Sequence, residues 1–539
     1  MSALLAFTAA LAALYLLRRS FKRTSVDALP GPTSTSWLFG NLRELLLSPV
    51  YGQHEFHWQE EYGTVYALRG CFNQSRLMVS DPAALRFIAN TQAFTWGFGQ
   101  RKASQMLFGD GNLFLARGER HKYLRAVMSP WFSQRSVRNM LPIMKDTARK
   151  LADSWESEIS GPVSPCIDVS RGVHTASLDI LGEILLETPI NGLRGESDLS
   201  RIQRELTDSA AILSPSGLIA EALMPYIPDW LFRVAPKLPF EALRQFRKYW
   251  TVTDRMASAV AKQVHNLGED YKQSFVGRLC KFPSPWSYFF RINNLVTVAA
   301  GSMSDEEVSV HVRTMLITGD DTTGNSITWA LYELARLPTF QANVRAEIRT
   351  AVQKSGPEEI DYEGLPLLTA LINEILRMYP GLPLAERIAV EDCVLPLTMP
   401  IITNAGETIS TLPIQKGQFL YIAMASYNRN KALWGTDADE FRPERWLGSE
   451  PPCDPSKTGG ALGPYATLAS FFTGPMVCPG YRLAIFELQV VLVELLNKFS
   501  FALPSGPAEA VRPALAITIV PKTSEGTQRL PLIIRGLDG

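Results

Sequence analysis

Cys478 stands in the loop Phe471-Phe472-Thr473-Gly474-Pro475-Met476-Val477-Cys478-Pro479-Gly480, just before a helical pattern that carries Ala484 and Glu487. A thiol placed there faces the positive end of a helix dipole and nearby backbone N–H groups, which are expected to lower its pKa and hold the thiolate that ligates a metal. A lone cysteine read without its surroundings is a small buried hydrophobe. A second candidate is Thr318-Gly319-Asp320-Asp321-Thr322-Thr323, inside a long helical pattern that opens on the capping box Ser304-x-x-Glu307. Glycine lets another group approach the backbone and threonine hydroxyls bond back to carbonyls, so a local opening of this helix is expected, with a plain kink as the alternative. The third is Glu374-x-x-Arg377, whose spacing sets carboxylate and guanidinium on one helix face. Glu241-x-x-Arg244 and Glu333-x-x-Arg336 share that spacing, so spacing alone selects nothing.

Mostly helices must position these residues. Helix-period apolar patterns run around 141–159, 200–213, 240–266, 304–336, 340–354, 365–379 and 481–498. Thr64–Leu68 and Arg76–Ser80 predict a β-hairpin, and apolar runs near 419–423 and 516–520 predict further strands. The segment Leu218–Phe240, with Met224, Tyr226, Trp230 and Leu231 among four prolines, is too broken to span a membrane. It is read as core, with an apolar surface dipping into a bilayer as the alternative.

Residues 3–17 are apolar apart from Thr8 and Tyr15, and Arg18, Arg19, Lys22 and Arg23 follow at once. Charge after the apolar run marks an uncleaved anchor rather than a cleaved signal. Such a helix is about 25 Å long, enough for a thin bilayer, and the basic flank places the body in the cytosol. The prolines of Leu29-Pro30-Gly31-Pro32 end the anchor region. No linker, repeat or low-complexity tract divides the remainder of the chain, so residues 1–24 are expected to be anchor and basic flank and residues 25–539 one large domain.

The chain has 539 residues, 53 Lys+Arg against 53 Asp+Glu, 46% apolar and 20% charged residues, which excludes disorder and a multi-span membrane protein. A net charge of zero argues against a nucleic-acid partner. The six cysteines are scattered without a CxxC pair and are read as reduced thiols. His54-Glu55-Phe56-His57 lacks the HExxH spacing and is read as surface.

Phe471, Gly474, Cys478 and Gly480 resemble the Phe-x-x-Gly-x-Arg-x-Cys-x-Gly loop of the haem-thiolate monooxygenases, the cytochrome P-450 family. That resemblance implies a mainly α fold with small β-sheets (α+β), and haem b with Cys478 as axial ligand, whose electron-rich sulfur favours O–O cleavage. It also implies propionate contacts from His121, Arg125 and Arg387, which matter more here because Met476 replaces the usual loop Arg. Glu374, Arg377 and Arg445, the last from Phe441-Arg442-Pro443-Glu444-Arg445-Trp446, are implied to form a structural ion triad. Thr318 to Thr323 is similar to the family's oxygen-activation groove, with Thr322 as its hydrogen-bonding hydroxyl and Asp321 as proton relay. Pro413-x-x-Lys416-Gly417 and Asn428-Arg429 with Trp434 fall in the family's order.

The implied activity is insertion of one oxygen atom from O2 into a small apolar substrate, a secondary metabolite such as a terpenoid by similarity to fungal microsomal members. No GxGxxG follows a strand, so electrons are expected from NADPH through a separate flavoprotein reductase. The implied location is the endoplasmic reticulum membrane, with the catalytic domain in the cytosol and lipid around the anchor. The alternatives are a thiolate-haem isomerase or dehydratase, and a non-catalytic haem-binding membrane protein.

Overall fold

A computed structural model describes residues 24–537 apart from 161–165, 196, 211–213, 235–237, 239–242, 268–274, 282–302, 451, 454–457 and 506–509. The expected anchor, and the basic residues behind it, lie outside the described residues. Among the described residues no helix is long and apolar enough to cross a membrane.

The elements that build the site are, in chain order, β1 (Val65–Arg69), β2 (Ser75–Val79), β3 (Phe94–Trp96), α1 (Gly118–Met128), α2 (Leu141–Ile159), β4 (Cys166–Asp168) and α3 (Val169–Leu186). They continue with α4 (Asp198–Ala210), α5 (Pro215–Leu223), α6 (Arg244–Leu267), α7 (Asp305–Arg336), α8 (Pro338–Ser355) and α9 (Pro366–Met378). The last are β5 (Leu384–Ala389), β6 (Cys393–Ile402), β7 (Thr408–Ile414), β8 (Phe419–Ala423), α10 (Tyr481–Lys498), β9 (Phe499–Ala502), β10 (Val511–Leu515), β11 (Ile519–Thr523) and β12 (Pro531–Gly536).

One mixed sheet has the order β1-β2-β8-β5-β3. The hairpin β1–β2 pairs Val65 with Val79 and Arg69 with Ser75, and β2 continues into β8 in parallel. Two hairpins, β6–β7 and β10–β11, and the small sheet β4-β12-β9 complete the sheets among the described residues. The architecture is therefore mainly helical with small sheets.

Within the described residues the seven helical patterns each overlap a helix, α2 and α10 without any shift of boundary; residues 211–213 and 240–242 of two patterns lie outside the described residues. α7 starts as its sequence asks: Ser304 Oγ accepts from Glu307 N–H at 3.2 Å, and Glu307 Oε2 accepts from Ser304 N–H at 3.1 Å. The run near 516–520 straddles a turn and the start of β11, so the strand lies later than expected. α3 was not foreseen. It is buried on nearly every side, from Val169 to Leu186, and such a helix carries no amphipathic stripe to read.

Two expectations are corrected by the packing. α7 runs unbroken from Asp305 to Arg336, with no opening at Thr318–Thr323. The hydroxyls of Thr314, Thr318, Thr322 and Ser326 each donate to the carbonyl four residues back, at 2.7 to 2.9 Å, without parting the helix. The glycines serve close packing on α3 instead: a Cβ at Gly319 would lie 2.8 Å from Leu181 Cδ1, and one at Gly324 would lie 2.6 Å from His174 Nδ1. Second, Leu218–Phe240 is only partly core. Leu218 and Phe232 are buried, but Tyr226, Trp230, Leu231 and Val234 are exposed, Trp230 by 62%.

Candidate active site

Cys478 closes the loop before α10. Its N–H donates to Phe471 O at 2.9 Å, and Val477 N–H donates to Gly474 O at 3.1 Å. Gly480 caps α10 and its N–H reaches the Cys478 sulfur. The thiol is surrounded by protein, yet its side chain is open, and the space it opens on is an interior cavity. Burial pushes this thiol up, outweighing the Gly480 N–H and the nearby Arg125, which pull it down. The expectation of a lowered pKa is thus overturned: without a metal on the sulfur, the desolvated thiolate is the costlier form.

The cavity is walled by α7, α3, β5, β8, α1 and the cysteine loop, and most of its lining is apolar, with Leu113, Phe114, Leu181, Leu185 and Leu382 among it. Thr318 and Thr322 line it from α7. Asp321 does not. Its carboxylate is turned to Asn325 Nδ2 at 3.4 Å and to the Thr518 hydroxyl, and burial pushes it up against the opposing pull of His174.

Three of the expected cationic or polar groups converge on this cavity. His121 and Arg125 sit one turn apart on α1, and Arg387 reaches in from β5. Arg125 donates to Val477 O at 2.8 Å. Arg387 donates to Glu386 O at 3.0 Å and is nearly wholly buried, which pushes it down to about 9. Among the described residues neither arginine has a carboxylate within ion-pair reach. Glu487, which also lines the cavity and accepts from Ser177 Oγ at 2.7 Å, is raised by burial to about 8 and is uncharged at neutral pH.

Buried guanidinium groups without an anion are costly to leave that way. The buried Arg387 and the half-buried Arg125 beside an open thiol, in an apolar cavity, fit a flat, mainly apolar group carrying carboxylates and an iron: haem. The Trp96 Nε1–H, buried without an acceptor among the described residues and also lining the cavity, is a further donor for such a carboxylate. Sequence reasoning missed Trp96, because β3 is three residues long and its contact with Arg387 is made across a sheet. Met476 lines the same cavity and supplies no charge.

Glu374, Arg377 and Arg445 lie apart from the cavity and touch one another. Arg377 holds Glu374 bidentately at 2.9 and 2.8 Å, Arg445 Nε reaches Glu374 Oε1 at 3.0 Å, and Trp446 Nε1 donates to Oε2 at 2.9 Å. Burial pushes the Glu374 carboxyl up, but Arg377, the Arg442 N–H and Arg445 together bring it below its ordinary value. The cluster reaches the cysteine loop through Asn428, whose carbonyl accepts from Arg377 at 3.0 Å and whose side chain bonds Ala469 N–H at 3.0 Å and Ser470 Oγ at 2.9 Å. Phe471, the next residue, lines the cavity. Of the stretch read as surface, His57 is exposed but Glu55 is buried on the inward side of its helix, where Tyr51 and Ser426 bond it, so the surface reading fails there. Among the described residues no cluster of His, Cys, Asp and Glu is placed to hold a metal ion by itself.

A helical frame of this kind, with one open cysteine under a long helix and arginines around it that have no carboxylate partner among the described residues, defines a protein built to hold haem by a thiolate. The sequence pattern of the family described as Cytochrome P-450 matches residues 29–524, and the chain belongs to that family. It is similar to Cytochrome P-450 monooxygenase 205 of Postia placenta, 28% identical over 94% of this chain and 92% of that one. It is also similar to Cytochrome P-450 monooxygenase claP of Ampulloclitocybe clavipes, 30% identical over 92% of this chain and 90% of that one, and to claU of the same organism, 29% identical over 97% and 95%. The chain is thus an oxidoreductase, a haem-thiolate monooxygenase, and its cofactor is haem b on a cysteine thiolate.

Proposed function

We propose that Cys478 is the haem ligand of a membrane-anchored monooxygenase that acts on a small apolar secondary metabolite such as a terpenoid. The observation that carries this reading is the open Cys478 side chain at an apolar cavity where Arg125 and Arg387 lack an anion. When bound there, haem supplies oxygen activation and the transfer of one oxygen atom to a C–H or C=C bond. Arg125, Arg387, His121 and Trp96 hold its carboxylates, which offsets the missing arginine at Met476. Phe471, Gly474 and Gly480 shape the loop, and the Gly480 N–H tunes the sulfur. Glu374, Arg377 and Arg445 brace that loop from below.

The apolar lining excludes water and takes an apolar substrate. Thr322 presents a hydroxyl at the cavity whose proton is given to Thr318 O at 2.8 Å, so its oxygen is left to accept a hydrogen bond. Asp321, one residue earlier and outside the cavity lining, is the carboxyl that passes protons toward it.

The reading includes electrons from NADPH through a separate flavoprotein reductase, and residues 1–24 anchoring the chain in the endoplasmic reticulum membrane with the domain of residues 25–539 in the cytosol. Support for contact with lipid comes from the exposed apolar side chains of Leu223, Tyr226, Trp230 and Leu231.

Reconstitution with that reductase, NADPH and isotopically labelled O2 tests the reading on a panel of terpenoids. One labelled oxygen in a product, formed only with NADPH, is expected. A product formed without NADPH and without label would instead establish an isomerase or dehydratase.

A further inference from the structure

His174, Asp320, Asp321 and Asn325 form a polar cluster that does not line the cavity, with Asp320 and Asn325 buried and His174 and Asp321 half-buried. His174, on α3, places Nδ1 3.2 Å from Asp320 Oδ1 and Nε2 3.4 Å from Asn325 Oδ1. Gln203 of α4 donates to Asp320 Oδ2 at 2.8 Å. Asn325 Nδ2 donates to Asp321 O at 2.8 Å and to Thr518 Oγ1 at 3.0 Å, and Thr518 in turn bonds the Asp321 carboxylate. The imidazole fits because Gly324 has no side chain to meet it.

The chemistry of the partners fixes the protons. Asn325 must turn its NH2 to the Asp321 carbonyl, since its own oxygen there would face another acceptor, so the oxygen Oδ1 faces His174. Asp320 offers a second acceptor to the opposite ring nitrogen. An imidazole between two acceptors is satisfied only when both of its nitrogens carry hydrogen.

We propose that His174 is a positioning residue for the proton-relay carboxylate: its doubly protonated ring locks the Asn325 amide, and Asn325 with Thr518 holds Asp321 turned from the cavity beside Thr322. The proposal rests on the monooxygenase reading of Asp321. Burial by itself would strip the ring of a proton, but the bonded Asp320 and the field of Asp321 overcome this and hold it protonated up to about 9. The other charged or titratable groups around the cluster are Asp179 on α3, Glu487 from α10 and Tyr249 from α6, each within the field of Asp320, and Arg204 of α4, which bonds Thr175. Glu487 and Tyr249 are raised by burial and are neutral at pH 7, so they do not cancel the ring's charge. Above pH 9 the ring keeps one N–H, one acceptor loses its donor, and the lock on Asn325 is released.

The test uses the reduced, carbon monoxide-bound holoenzyme, which is diamagnetic, and needs neither substrate nor reductase. With nitrogen-labelled histidine, six ring systems are observed and His174→Gln assigns one. Both ring nitrogens of His174 are expected to be protonated at pH 7.5, with a midpoint near 9 that Asp320→Asn lowers by at least tenfold in proton affinity. The infrared C–O stretch of the same complex is expected to shift with that midpoint in the wild type and to be independent of pH in His174→Gln. A neutral His174 at pH 7.5, or a His174→Gln band with unchanged position and pH response, overturns the proposal. Should His174→Gln fail to bind haem, Asp320→Asn keeps the ring and must by itself move both midpoint and band; no movement overturns it equally. Failure of the wild type to form any carbonyl complex would overturn the monooxygenase reading and this proposal with it, whereas an intact complex with an unmoved band overturns the proposal alone.

Discussion

The Arg387 guanidinium lies over the Trp96 indole, its Cζ 3.6 Å from the ring centroid, and the two residues face each other across the β5–β3 pair. The ring fixes the direction of a buried cation that has no carboxylate partner among the described residues. Arg387→Ala is therefore expected to speed haem loss about 10- to 100-fold, as befits a lost hydrogen bond to a charged group worth about 1.5–3 kcal/mol. Met476→Arg is expected to slow it. Haem transfer to an excess of apomyoglobin measures both, and identical rates in the three proteins would contradict the assignment.

Glu374 is wholly buried and accepts four hydrogen bonds from Arg377, Arg445 and Trp446, besides one from the Arg442 N–H. Removing one cation strands the remaining charge. Arg445→Ala is expected to cost about 3–5 kcal/mol in urea unfolding. A loss under about 1 kcal/mol would show that the cluster is not what braces the loop.

A hydroxyl at Thr322 is the polar group of α7 assigned to oxygen chemistry. Thr322→Val keeps the shape and removes it, so product formation is expected to fall about 100-fold while NADPH is still consumed, the electrons leaving as peroxide. Product and peroxide measured per NADPH decide the matter; an unchanged product ratio would remove Thr322 from the mechanism.

Glu55 is buried and raised from the ordinary 4.5 to about 7, by burial chiefly, with Tyr51 and Ser426 donating to its oxygens and opposing the rise. The folded pKa lies above the unfolded one. The stabilising contribution of the protonated carboxyl is then complete below about pH 4.5 and is lost as pH rises through 7. Glu55→Gln is expected to flatten that part of the stability profile, and Tm of both proteins between pH 5 and 8 checks it. Parallel profiles would mean that Glu55 does not titrate in this window.

Residues whose roles are set by their own loop or helix were legible in the sequence. The cysteine loop and the capping box of α7 are local patterns, and each element formed where its pattern lies. Glu374 and Arg377, whose spacing recurs elsewhere in the chain, were singled out only by their order before Arg445 and Cys478. What was not legible depends on partners distant along the chain. Trp96 meets Arg387 only through a sheet, and His174 meets Asp320 only because α3 crosses α7 at Gly324. Thr318–Thr323 misled for the same reason: its Gly319, like Gly324 just after it, answers to a neighbouring helix, not to the helix it sits in. The thiol misled because loop geometry suggests stabilising N–H groups, while burial, which loop geometry does not report, outweighs them.

Everything assigned to the cavity depends on Cys478 binding haem as thiolate. The Soret difference spectrum of the dithionite-reduced protein with and without carbon monoxide, for the wild type and Cys478→Ser, reads that bond itself. A strongly red-shifted band is expected in the wild type and none in the variant. An unshifted band in the wild type, or a shifted band that survives in Cys478→Ser, would contradict the assignment of Cys478.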